Sequence, residues 1–134
     1  MYRVVLDTNV LISAVIRNGN PRNLLKNAIN DKKYVLVTSD KILNEMSGVL
    51  HRPKFKMTED EIDEIVFTLI SSSEIQVVTS KFKAVKDDPD DDIIINTAYD
   101  GEADYVVSGD DDLLRMKKFK NIQIVTVTEM LKIL

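Results

Sequence analysis

The 134-residue chain contains no cysteine, which excludes disulfide scaffolds, zinc ribbons and thiol nucleophiles. Four glycines and three prolines are too few for a collagen-like or low-complexity chain. Aromatic residues make up only 6%, with little interleaving among the basic residues, so a reading of nucleic-acid bases by stacking cannot be argued. No apolar run approaches the ~20 residues that span a bilayer, and Met1-Tyr2-Arg3 leads directly into a strand-like run. The expectation is a soluble, cytoplasmic protein with no membrane contact. What is present is 44% apolar and 30% charged content. That is enough for one core, and the reading is a single domain spanning 1–134.

A net charge of −4 argues at face value against a nucleic-acid partner. The distribution argues otherwise. Eight of the 22 acids lie in two short runs, Asp87, Asp88, Asp90, Asp91, Asp92 and Asp110, Asp111, Asp112, which leaves 14 acids against 18 bases elsewhere. Acid concentrated in this way either caps helices or builds a cation site.

Short β-branched runs predict strands at Val4–Leu6, Tyr34–Thr38, Ile75–Thr79, Tyr105–Ser108 and Ile122–Val127. Helical patterns fill the gaps. Thr8 is expected to cap a helix to about Ile16, and Asn20-Pro21 to open one to about Ile29. Ser39 caps Lys41–Leu50, which Pro53 closes, and Thr58 with Glu61 forms a capping box ahead of a helix to about Ile70. Further helices are expected over Pro89–Asp100 and Asp111–Met116, with Thr128 capping a last turn or two. No hairpin signal joins two strands, so the alternation predicts an open α/β fold with a five-stranded parallel sheet and helices on both faces.

Ligands of such sheets sit beyond the carboxyl ends of the strands, where strand order reverses. Asp7 follows the first strand directly, and Asp110 closely follows the fourth. If those strands are neighbours, their ends lie only about 5 Å apart. Glu45 falls beside the apolar stripe of its helix rather than opposite it, so it either reaches the rim or keeps its head in water. Any one acid of the run from Asp87 to Asp92 can be read as a helix cap. The helical wheel nevertheless aligns Asp91 with Ile94, Ile95 and Ala98 and turns Asp92 about 100° away. An inward acid without a local Lys or Arg points to a bound cation.

Four carboxylates on one rim repel strongly, since two unit charges 4 Å apart at an effective dielectric near 20 cost roughly 4 kcal/mol. With neither Cys nor a suitably placed His, an all-oxygen site selects Mg²⁺ or Mn²⁺, one or two ions. The single histidine, His51, ends a helix ahead of Arg52-Pro53 and reads as a surface or capping residue.

At this point the chain resembles the PIN-domain ribonucleases, and within them the group that forms the toxins of toxin–antitoxin pairs. The matching segments are Val5 to Ala14, Ser39 to Glu45 with Leu50 to Phe55 behind it, Asp88-Pro89-Asp90-Asp91 with Ala98, and Ala103 to Leu114. They occur in the family's order and cover nearly the whole chain. The resemblance implies a three-layer α/β/α domain with a metal site that cleaves single-stranded RNA. It places the four acids at Asp7, Glu45, Asp91 and Asp110. By the same resemblance Asn9 and Ser108 are supporting polar residues and Asp112 is a further acid of the last motif. Family members often carry Asn at the position of Asp92 and Thr at that of Ser108, which leaves Asp92 open beside Asp91. Homodimers and a small neutralising antitoxin protein are also implied.

In the hydrolysis expected here, Asp7 is the central ligand because its strand position is the most rigid. Backbone contacts to RNA are expected from Arg17, Arg22, Arg52 and Lys54, with Lys56, Lys81, Lys83 and Lys86 as further candidates. A haloacid-dehalogenase-type phosphatase would need an acid where Asn9 stands, and a receiver domain a lysine after the last strand. A calcium loop would need glycine and glutamate at its sixth and twelfth positions. The alternative from another class is a catalytically silent RNA- or protein-binding module.

Overall fold

A computed structural model describes residues 1–85 and 88–134; Lys86 and Asp87 lie outside the described residues. Strand β1 (Arg3–Leu6) is the centre of the sheet, and Val4, Val5 and Leu6 are fully buried between helices. A strand covered on both faces reads as a continuous apolar run rather than an alternating one. Helices α1 (Thr8–Ile16) and α2 (Asn20–Ile29) follow, then β2 (Val35–Ser39), α3 (Asp40–Leu50), a 3₁₀ turn at Pro53–Phe55 and α4 (Glu59–Ser72). The second half comprises β3 (Glu74–Gln76), α5 (Pro89–Asp100), β4 (Tyr105–Val107), α6 (Asp111–Met116), β5 (Lys118–Phe119), β6 (Ile122–Val125) and α7 (Val127–Ile133).

The strand order is β3-β2-β1-β4-β6-β5. β1 pairs in parallel with β2 on one side and β4 on the other, so the chain reverses direction across the sheet between β1 and β4. That gap is the ligand-binding crevice of an open α/β sheet. α5 packs across β1, β2 and β4, and α1 against α2 and α3.

The sheet has six strands rather than five, and the additional pair is antiparallel, with Phe119 opposite Ile122. A two-residue strand is too short to show periodicity. Its tight turn at Lys120-Asn121 holds Lys120 at φ 52°, where glycine or asparagine is the usual signal. Three caps also differ from expectation. Asp7 rather than Thr8 caps α1, Thr126 rather than Thr128 caps α7, and Asn20 is helical behind an uncapped Gly19.

Beyond the end of β3 at Gln76, the backbone amides from Thr79 onward find partners on α5. Asp100 accepts from the N–H of Thr79 (2.6 Å) and Ser80 (2.9 Å), and from the Ser80 hydroxyl. One turn earlier Asn96 accepts from Phe82 N (2.8 Å) and donates to Phe82 O (2.9 Å). One turn earlier again, Asp92 accepts from Val85 N (2.8 Å). Three polar residues at four-residue spacing on one helix face thus hold the extended segment 79–85. The Phe82 ring packs edge-on against Tyr99 and Phe119, with the Lys120 ammonium 5.2 Å above it.

Gly101 ends α5 where the chain passes closest to β2. A Cβ there would stand 2.6 Å from Val37 Cγ1 and 3.0 Å from Thr97 O. Val37 is fully buried and its β-branched side chain is restricted at χ1. Gly101→Ala should therefore lose ~1–3 kcal/mol of stability by overpacking, measured by urea denaturation.

Candidate metal centre

Asp7 leaves β1 at the switch point and caps α1, its carboxylate accepting from Asn9 N at 3.4 Å. The Ser108 hydroxyl, fully buried just past β4, donates to Asp7 Oδ2 at 2.6 Å and accepts from Asp110 N at 2.9 Å. One hydroxyl therefore fixes the Asp7 carboxylate and the Asp110 main chain. Asp110 in turn caps α6 by accepting from Leu113 N at 3.2 Å. Burial raises the Asp7 pKa, the Ser108 and Asn9 bonds oppose that rise, and the Asp110 charge adds to it.

Glu45 reaches the rim from α3, half-buried, and accepts from Thr8 Oγ1 at 3.2 Å. Its pKa is raised by burial and by the charges of Asp90, Asp7 and Asp88, against the Thr8 bond. Asp91 enters from the first turn of α5 with only 8% of its surface exposed. Its Oδ2 is buried with no hydrogen-bond partner. Burial, then the neighbouring carboxyls of Asp110 and Asp88, push its pKa up to about 8. Carboxylates only accept, so this contact requires either a shared proton or a cation.

Asp88, Asp91 and Asp112 each offer a carboxylate oxygen within 4.8 Å of the others. Asp88 was legible in the sequence only as a helix cap, and it is one, accepting from Asp91 N at 3.1 Å. The same bond brings it beside Asp91, so capping and clustering are not alternatives here. Asp112 is exposed and bonded to Arg115 at 3.1 Å. Asp92 is turned away from the rim, on the segment-holding face of α5.

The expected RNA contacts are dispersed. Arg22 bonds the carbonyls of Ala14 and Val15 and the Asn18 side chain, closing the C-terminal end of α1. That end is about 13 Å from the rim along the helix. Arg17 is exposed at the same end, and Arg52 and Lys54 are exposed around the 3₁₀ turn, Lys54 lying 5.0 Å over the Phe55 ring. Lys56, Lys81 and Lys83 are exposed as well. His51 is on the surface, bridging Ser47 O and Glu59 between α3 and α4.

The sequence profile of the PIN domain matches residues 3–112, a span that contains every acid of this rim. The chain belongs to the PIN-domain family. An uncharacterized protein of Methanocaldococcus jannaschii is 34% identical over 119 residues, covering 86% of this chain and 75% of its own length. A chain in the crystal structure of VapBC2 from Rickettsia felis bound to a DNA fragment from their promoter superposes with a TM-score of 0.64. The superposition covers 92% of this chain and 98% of that one at 17% identity, a likeness of fold. PIN domains are in general metal-dependent nucleases, and the side chains of this PIN domain fit a divalent cation on two grounds. The donors are all carboxylate oxygens, the hard ligands that such ions take. One of them, Asp91 Oδ2, is buried without a donor of its own.

Proposed function

We propose that this PIN domain is a ribonuclease that hydrolyses phosphodiester bonds of single-stranded RNA with one or two Mg²⁺ or Mn²⁺ ions. In this reading the ions are held by Asp7, Glu45, Asp91 and Asp110, with Asp88 and Asp112 beside them. The observation that carries it is the buried Asp91 carboxyl, one oxygen without a hydrogen-bond partner, beside the carboxyl of Asp88, which caps the same helix, and that of Asp110, which caps α6. Such an arrangement holds either a shared proton or a cation, and the all-carboxylate donor set favours a hard divalent ion in the working state. When bound, the ion neutralises charge on the phosphate and makes water acidic enough to attack near neutral pH.

The chain's own residues supply the rest. Ser108 and the first turn of α1 fix the Asp7 carboxylate, and the Leu113 amide of α6 fixes that of Asp110, so both would already be oriented to hold an ion. Asp91 releases its proton on loading. Asn9 and Ser108 are the polar supports of the rim, and the exposed bases Arg17, Arg52 and Lys54 are the sources of backbone contact, Arg22 being committed to α1.

The same reading makes residues 1–134 one domain acting in the cytoplasm, as a homodimer, as the toxin of a pair whose small antitoxin covers the rim. The fold likeness to a chain of the VapBC2 structure supports the toxin part of it. No helix among the described residues is long and apolar enough to cross a membrane.

Wild type and Asp7→Asn should be compared on a mixed single-stranded RNA with EDTA, Mg²⁺ or Mn²⁺. Cleavage should require metal and be lost in Asp7→Asn, while metal raises the melting point of the wild type by mass action, about 2.7 kcal/mol at a hundredfold excess over Kd. Unchanged RNA and an unchanged melting point under all conditions would overturn the reading.

A further inference from the structure

Immediately beside the carboxylate rim lies a groove of about 310 Å³ that carries no charged side chain. It shares Asn9 and Ser108 with the rim and runs from there between the starts of α1, α2 and α7. Its apolar surface comes from Val10, Pro21 and Val127. Its polar groups are neutral: the Asn9 amide and the hydroxyls of Ser13, Thr126 and Thr128. Among the described residues, the side chains of Asn9, Ser13 and Thr128 enter no hydrogen bond. The Thr126 hydroxyl accepts from Glu129 N and retains its own proton to give.

We infer that this groove holds the base of the nucleotide next to the scissile phosphate and makes cleavage base-selective at that position. The inference rests on the ribonuclease reading and extends it. A groove of this volume is at the small end of ligand sites, room for one base with its sugar rather than a length of strand. A base has apolar faces and a polar edge, matching aliphatic walls with unengaged amide and hydroxyl groups. The absence of charge favours a base over a phosphate, which would draw lysine or arginine. Sparse aromatics are no obstacle, because selection here comes from hydrogen bonds to the edge rather than from stacking.

Gly109 supplies the test. It lines the groove, and nothing lies within 4 Å of where its Cβ would stand, so a larger side chain enters open space without disturbing the fold. Wild type, Gly109→Val and Thr128→Val, ¹⁵N-labelled, are titrated with the four ribonucleosides at millimolar concentration. Uncharged nucleosides make the readout independent of metal and of turnover. Amide shifts should concentrate at Asn9, Ser13, Gly109 and Thr128, with one base bound about tenfold more tightly than the weakest. Gly109→Val should abolish binding, and Thr128→Val should level the four bases while keeping the fold. Shifts elsewhere, or equal affinity for all four bases in the wild type, would overturn the inference. Metal-dependent RNA cleavage is assayed on the same samples. Cleavage without nucleoside shifts removes the base pocket and leaves the nuclease; shifts without cleavage do the reverse.

Discussion

At about pH 9, where folded Asp91 has given up its proton, metal-free Asp91→Asn should unfold later in urea than the metal-free wild type, by ~1.5–3 kcal/mol, and it should lose ~100-fold in RNA cleavage. The two effects have opposite signs for one reason. Above about pH 8 the ionised wild-type Asp91, one of whose oxygens is buried without a partner, stands beside the carboxyls of Asp110 and Asp88 with no proton to share. Asparagine has nearly the same shape but brings an N–H₂ group, which can donate to either neighbour and turn a repulsive contact into a charge-assisted bond. The variant should also lose most of the metal-induced rise in melting point. Denaturation in EDTA and single-turnover cleavage with Mg²⁺ measure both effects. A variant that is less stable and cleaves in proportion to its folded fraction would make Asp91 a structural residue and remove it from the rim.

The stability of the metal-free protein should fall as pH rises from about 4 to about 8. Unfolded, Asp91 releases its proton near 3.8; folded, it holds it to about 8. Between those values the native state binds more protons, so the derivative of unfolding free energy with pH is negative, at most about 1.4 kcal/mol per unit for one proton. Asp7 and Glu45, both raised by burial, add to the same slope. Below about pH 4 the sign reverses. Asp100, which despite its burial is held low by the Ser80 and Thr79 bonds, and Glu61 and Glu129, held low in their capping boxes, lose favourable contacts as they protonate. The metal-free optimum should therefore be acidic, near pH 4–5, rather than in the neutral range typical of small proteins. Saturating Mg²⁺ should flatten the descent, and calorimetry at pH 7 should record protons released on binding. A metal-free melting point that rises from pH 5 to pH 8 would contradict the buried-acid picture.

How far the sequence revealed this arrangement depends on whether a signal was local. Helix α5 runs from Pro89 to Asp100 as expected, because a capping acid, a first-turn proline and an inward stripe lie within twelve residues. The acids that follow the first and fourth strands were legible as two apolar runs with an acid behind each, but that β1 and β4 are neighbours stood only as a condition until the pairing was seen. The helical wheel separated Asp91 from Asp92 correctly as to direction, one inward and one toward Val85. Asp88 was missed as a neighbour of Asp91 because one bond makes it both cap and cluster member. The hairpin of β5 and β6 was hidden by a lysine where a left-handed turn residue was expected. The grip of Asp92, Asn96 and Asp100 on segment 79–85 joins side chains to backbone across 7 to 21 positions, and no local pattern encodes that.

The same grip sets where this sequence is free to drift. Asp92, Asn96 and Asp100 hold main-chain groups, together with the Ser80 and Thr79 hydroxyls, and make no hydrogen bond to the exposed side chains of Lys81 or Lys83. Substitutions at those two positions leave the attachment intact, whereas each helix position admits only a short acceptor of the same reach. Relatives should therefore differ widely in the charge they display along this segment while its path over α5 stays the same. The domain has a place to exchange one set of surface charges for another, next to its acidic rim, without rebuilding the fold beneath.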